Sequence, residues 1–149
     1  MLRPLAILVC LAATTFAGSR IRDPYGYEKL VSQPTPRTWH AGAVWRFTTS
    51  SHGKADTLAF RVTDERATSC TSGTWHKLVV LSGHVGSASE PAYRVEGRFL
   101  WISLNANICD ANDDIRGELS DNTFKGDRRA GGMFGDALVG RVVGSPVQP

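Results

Sequence analysis

The chain has 149 residues, a formal charge of +3 and 42% hydrophobic residues, which excludes a low-complexity tail and a highly charged disordered segment. The basic excess is slight, and the densest basic spot, Lys125, Arg128 and Arg129, is interrupted by Asp127. That scatter argues against the charged stripe of a nucleic-acid-binding face, so no nucleic-acid partner is expected.

Residues 1–17 read as an export signal. Arg3 supplies the positive start, Leu5 to Phe16 are almost uniformly apolar, and Thr15-Phe16-Ala17 offers small residues two apart for cleavage. The apolar run falls short of the roughly 20 residues of a spanning helix, so no transmembrane anchor is expected. Val9 is not the small residue that a lipoprotein site needs before its cysteine, so Cys10 leaves with the signal. The mature chain is then periplasmic or secreted and carries formal charge +2, the +3 of the whole less Arg3. Its two remaining cysteines, Cys70 and Cys109, most simply form one disulfide in an oxidising compartment.

Residues 18–37 contain Pro24, Pro34 and Pro36 with no sustained period, and read as a linker or strap. Tyr25 and Tyr27 either dock on the domain or stay disordered with it. Residues 38–149 form one domain, in which the hydrophobic period is two. Trp39, Ala41, Ala43, Trp45 and Phe47 share one strand face, and Leu58, Phe60 and Val62 share another. Trp75 to Leu81 is apolar on both phases apart from His76 and Lys77. Tyr93 and Val95 alternate with Arg94 and Glu96, and Phe99 to Leu104 is apolar on both faces, as in a central strand. Ile115, Gly117 and Leu119 alternate with Arg116, Glu118 and Ser120, followed by the turn Ser120-Asp121-Asn122 and Phe124. Arg128 to Gly135 reads as a flexible glycine-bearing loop, Ala137 to Val143 as a last strand, and Gly144 to Pro149 as a fraying tail. The expectation is an all-β fold: a single small antiparallel β-barrel, or a sandwich, of about seven or eight strands with one disulfide and no amphipathic helix. Closure is favoured because it removes exposed strand edges.

Gly73-Thr74-Trp75 has the Gly-x-Trp kernel, and Gly135 to Gly140 the glycine-bearing close, that resemble small secreted up-and-down barrels of the lipocalin and avidin (calycin-like) type. The kernel stands in mid-chain rather than near the mature start. The resemblance implies a barrel whose mouth holds a small apolar ligand and whose base is closed by the tryptophan.

Chemistry-bearing residues are few. Counted from Asp110, oxygen-bearing side chains fall at positions 1, 3, 5, 9 and 12 of an EF-hand loop: Asp110, Asn112, Asp114, Glu118 and Asp121. Position 6, which needs glycine, is Ile115, and Asp121 is short for a bidentate ligand. The competing reading, a polar turn after Cys109, carries more weight. The four histidines, His40, His52, His76 and His84, lack the close pairing of zinc ligands. No nucleophile elbow, placed carboxylate pair, phosphate loop or dinucleotide fingerprint is present, so no catalytic residue and no cofactor is assigned. The tryptophans fit core packing better than exposed anchors for a partner. Together these residues predict a noncatalytic exported binding or protein-interaction domain, its partner a protein or a small apolar ligand. The alternatives are an envelope hydrolase with an unrecognised site and a secreted inhibitor of a hydrolase.

Overall fold

A computed structural model describes residues 25–86, 88–132 and 134–148. Residues 1–17, read above as an export signal, lie outside this range. The described chain is all-β apart from one short helix, α1 (Tyr27–Val31). Eight strands follow: β1 (Val44–Ser51), β2 (Lys54–Arg66), β3 (His76–Ser82), β4 (Ala92–Glu96), β5 (Phe99–Ser103), β6 (Ala111–Leu119), β7 (Phe124–Gly132) and β8 (Gly135–Pro146). Each strand pairs antiparallel with the next, and β8 pairs with β1, closing an up-and-down barrel.

The two-residue period explains the closure. Register puts Trp45, Phe60, Phe47 and Leu58 on one side of the β1–β2 ladder, and these join Ile102, Ile115 and Phe124 in a single buried cluster. The barrel interior is therefore a packed aromatic core. Glycines on the inner face make room for it. A Cβ on Gly144 would lie 2.8 Å from the Phe47 ring, and one on Gly117 would lie 2.2 Å from the Lys125 carbonyl oxygen. These contacts are tighter than any side chain tolerates, so the close approach of β6 to β7 depends on glycine.

The base is closed by the segment ahead of β1. Trp39 is buried against Trp45 and Tyr93, with ring centroids 5.5 and 5.2 Å apart. The Trp45 indole Nε1 donates to the Thr38 carbonyl at 3.2 Å, and the Arg98 amide donates to the Leu30 carbonyl at 2.9 Å. Tyr25 and Tyr27 lie against Phe99 at 6.1 and 4.9 Å, so the segment docks as a strap. The base tryptophan is thus Trp39. Trp75 of the Gly-x-Trp kernel does not serve there: it closes the β2–β3 connection just ahead of β3, in a second cluster with Ala92 and Ala106.

The last third departs from the sequence expectation. Arg128 to Gly132 is strand and not loop, because β7 continues to Gly132 and pairs with β6 and, across a register shift at Arg128 and Arg129, with β8. The tail does not fray at Gly144, since Trp45 pairs with Pro146 and the Val147 amide reaches the Val44 carbonyl at 2.8 Å. Glycine content suggested flexibility, but here it serves strand contact.

At the opposite end, the mouth, Arg128 points inward from β7. Its Nε and Nη2 donate to the two Asp113 oxygens at 2.8 Å, and its Nη1 donates to Asp56 of β2 at 2.8 Å. This ion triad lies over the aromatic core and ties β6 and β7 to β2.

The strands are strongly staggered. Rungs followed from Arg66 through His76, Tyr93, Ile102, Ile115 and Arg128 to Gly140 return to β2 beside Lys54, roughly a dozen residues away. That stagger brings the β2–β3 connection of the base up to the β5–β6 loop of the mouth, where Cys70 and Cys109 form a disulfide with Cα atoms 5.1 Å apart. One seam is thin. β3 and β4 share only the rungs His76–Tyr93 and Lys77–Ala92, after which the upper half of β3 parts from β4 with Val79 and Leu81 exposed.

Candidate functional site

The outer wall over β4, β5 and β6 carries the densest polar and aromatic chemistry of the described residues. Strand alternation turns Leu100 and Ile102 inward, so Phe99, Trp101 and Ser103 face out, flanked by Arg94 and Glu96 of β4 and by Asp114 and Arg116 of β6. Two clefts open here, of about 260 and 400 Å³, and Trp101 and Arg116 line both. The smaller runs along the disulfide and includes Ser103, Asn112 and Asp114; the larger lies under the strap, with Tyr25, Tyr27 and Phe99.

At the junction the Arg116 guanidinium carbon stands 4.0 Å from the Trp101 ring centroid, a cation–π contact. Its Nη2 donates to Asp114 Oδ2 at 2.5 Å, and that carboxylate is buried. Trp75 meets Trp101 edge to face at 5.2 Å, holding the indole from the side of the β2–β3 connection. The indole Nε1 of Trp101 and the Nε of Arg116 have no hydrogen-bond acceptor among the described residues.

Charges around the larger cleft are internally matched. Arg94 pairs with Glu96, and the Tyr27 hydroxyl donates to the same carboxylate. That hydroxyl holds the Glu96 carboxyl below its ordinary value, with Arg94 adding to the effect against burial. The Tyr27 phenol is raised in turn, chiefly by its bond to Glu96. Tyr25 is also raised, first by burial and then by the Asp127 charge its hydroxyl approaches at 3.5 Å.

Of the residues in the EF-hand-like spacing, Asp110, Asn112 and Asp114 line the smaller cleft. Glu118 lies further down β6 opposite Lys125, and Asp121 sits in the β6–β7 turn, where its carbonyl accepts from Thr38 at 2.6 Å. The polar turn expected after Cys109 is therefore brief, because β6 starts at Ala111. A strand advances roughly 3.3 Å per residue, which sets Asn112 and Glu118 on the order of 20 Å apart, so the segment does not wrap around a point. Among the described residues no group of three or more His, Cys, Asp or Glu side chains could hold a metal ion.

Sequence reasoning missed Arg94, Arg116 and Trp101 as one cluster. The signal was present: Arg94, Trp101 and Arg116 are cross-strand partners, and each occupies the outward phase of its own alternation. No protein-family model, curated protein or solved structure matches the chain.

Proposed function

We propose that this chain is an exported, noncatalytic binding domain on a calycin-like barrel, and that it recognises its partner on the outer wall rather than inside. One observation carries the reading. The interior is filled by Trp45, Phe47, Phe60 and Phe124, whereas the wall over β4–β6 offers two adjoining clefts around Trp101 and Arg116. Binding sites typically combine aromatic lining with a few placed polar groups, and these clefts have both. The closed up-and-down barrel, the strap across its base and the base tryptophan support the calycin-like reading. The Cys70–Cys109 disulfide supports an oxidising compartment, and among the described residues no helix is long and apolar enough to cross a membrane.

The test is native mass spectrometry of mature protein recovered from its own cell, wild type beside Trp101→Ala and Arg116→Ala. A retained small molecule or protein that is lost in both variants supports the outer-wall reading. A retained apolar molecule that survives both would place recognition inside the barrel instead. Turnover of envelope glycans or esters that disappears in Asp114→Asn would make the protein a hydrolase.

A further inference from the structure

Taking the outer-wall cleft as the recognition surface, and resting on that reading, we infer that its ligand is a neutral oligosaccharide at least two rings long. Three features select that chemistry. The first is charge. Both arginines of the cleft are already engaged by carboxylates, Arg116 by Asp114 and Arg94 by Glu96, so no uncompensated cation calls for an anionic ligand. The second is aromatic area. Tyr25, Tyr27 and Trp101 are partly exposed in the larger cleft, and their apolar bodies suit the faces of a sugar ring. The third is hydrogen bonding. The side chains of Thr71, Ser103 and Asn112 line the smaller cleft and make no hydrogen bond among the described residues. A hydroxyl both donates and accepts, so it satisfies Ser, Thr and Asn side chains alike.

Other ligand classes match less of this surface. A fatty acid would leave those polar groups unpartnered, and a carboxylate or phosphate would compete with Asp114 and Glu96 for their arginines. A flat aromatic ligand would occupy the rings and leave Thr71, Ser103 and Asn112 unused. The two clefts lie on either side of Trp101 and Arg116 and together fall within the roughly 300–1,000 Å³ of small-molecule sites. Hence the ligand spans both compartments and crosses Trp101 between them.

Tryptophan fluorescence of the mature, disulfide-bonded protein is titrated with β-1,4-glucan, α-1,4-glucan and β-1,4-N-acetylglucosamine oligomers, from disaccharide to hexasaccharide. Polygalacturonate and palmitate serve as acidic and apolar probes. At least one neutral series should saturate and bind more tightly as it lengthens. Trp101→Ala should weaken it about tenfold and Asn112→Ala about threefold, the second change leaving the packing of Trp75 intact. Val143→Ser, on the β8 wall, should bind as wild type does. Failure of every neutral series to saturate overturns the inference, as does saturation by polygalacturonate or palmitate alone, or binding indifferent to both cleft variants. If no sugar binds while a cell-derived ligand still requires Trp101, the oligosaccharide inference falls and the outer-wall reading stands.

Discussion

Arg128 occupies the one inward position of β7 that is both long and charged, and the mouth of the barrel is organised around it. Its guanidinium has a bidentate partner in Asp113 and a second partner in Asp56 on the far side of the opening. Replacing it with methionine keeps the stem and leaves two carboxylates facing each other. Because Asp56 is half exposed, the cost should fall below that of a fully buried pair, at about 1–3 kcal/mol in denaturant unfolding. At the strap, Glu96 and Tyr27 set a pH window. Glu96 is held below the ordinary carboxylate value, so it stabilises docking above about pH 4.3 and loses that contribution as the pH falls through its own lower value. Tyr27 is raised, so its contribution is complete below about pH 10 and lost as the pH rises through its higher value. The Tyr27 ring resonances should hold constant near neutrality and shift at acid pH, and Glu96→Gln should abolish the acid shift. An acid shift of equal size in Glu96→Gln would remove Glu96 as its cause.

The elements show which interactions tolerate change. Gly117 and Gly126 face each other across β6 and β7, and an added methyl at Gly117 meets backbone rather than a movable side chain. Gly117→Ala should therefore destabilise by about 1–3 kcal/mol, with a lowered melting temperature as the readout. Gly53→Ala adds a methyl to open space at the β1–β2 turn, but its φ of 76° strains any other residue, so a smaller loss of about 1 kcal/mol is expected. The same elements mark what could be read in advance. The alternation at Trp45–Phe47, Leu58–Val62 and Ile115–Leu119 predicted three strands and the faces they bury, and the structure places those faces in one core. Period says nothing of glycine-rich strands, which is why β7 and β8 were expected to be shorter than they are. Helix α1 spans only five residues, too short for amphipathic periodicity to register. The candidate site was illegible for another reason. Trp101, Arg94 and Arg116 come from three strands, and only the pairing register brings them together. Asp114 could be named from the sequence, but its partner Arg116 could not, because the EF-hand-like spacing drew attention along the chain instead of across it.

At the scale of the whole molecule, stability rests on the closed core, the strap and one covalent link. Trp39 is the largest buried side chain of the segment ahead of β1, and Trp39→Ala should cost about 3–5 kcal/mol and open the base. Cys70→Ser with Cys109→Ser should cost about 4 kcal/mol on the chain-entropy model for a loop with a separation of 39 residues. Equal denaturation midpoints for the native protein and this double variant would contradict that.

The thin seam gives the sulfur bridge a more local task. Cys70 stands before β3 and Cys109 after β5, so the bond reaches over the junction that, among the described residues, is held by the fewest rungs. Such a junction is where the cylinder should first unzip, with Val79 to Ser82 exchanging amide protons ahead of their neighbours. The bond then works as a hasp across a door that is otherwise on the latch. Reduced protein should show accelerated exchange in β3 and β4 well before β6, β7 and β8 respond, and the freed margin of β3, with Val79 and Leu81 outermost, is where chains would begin to stick to one another.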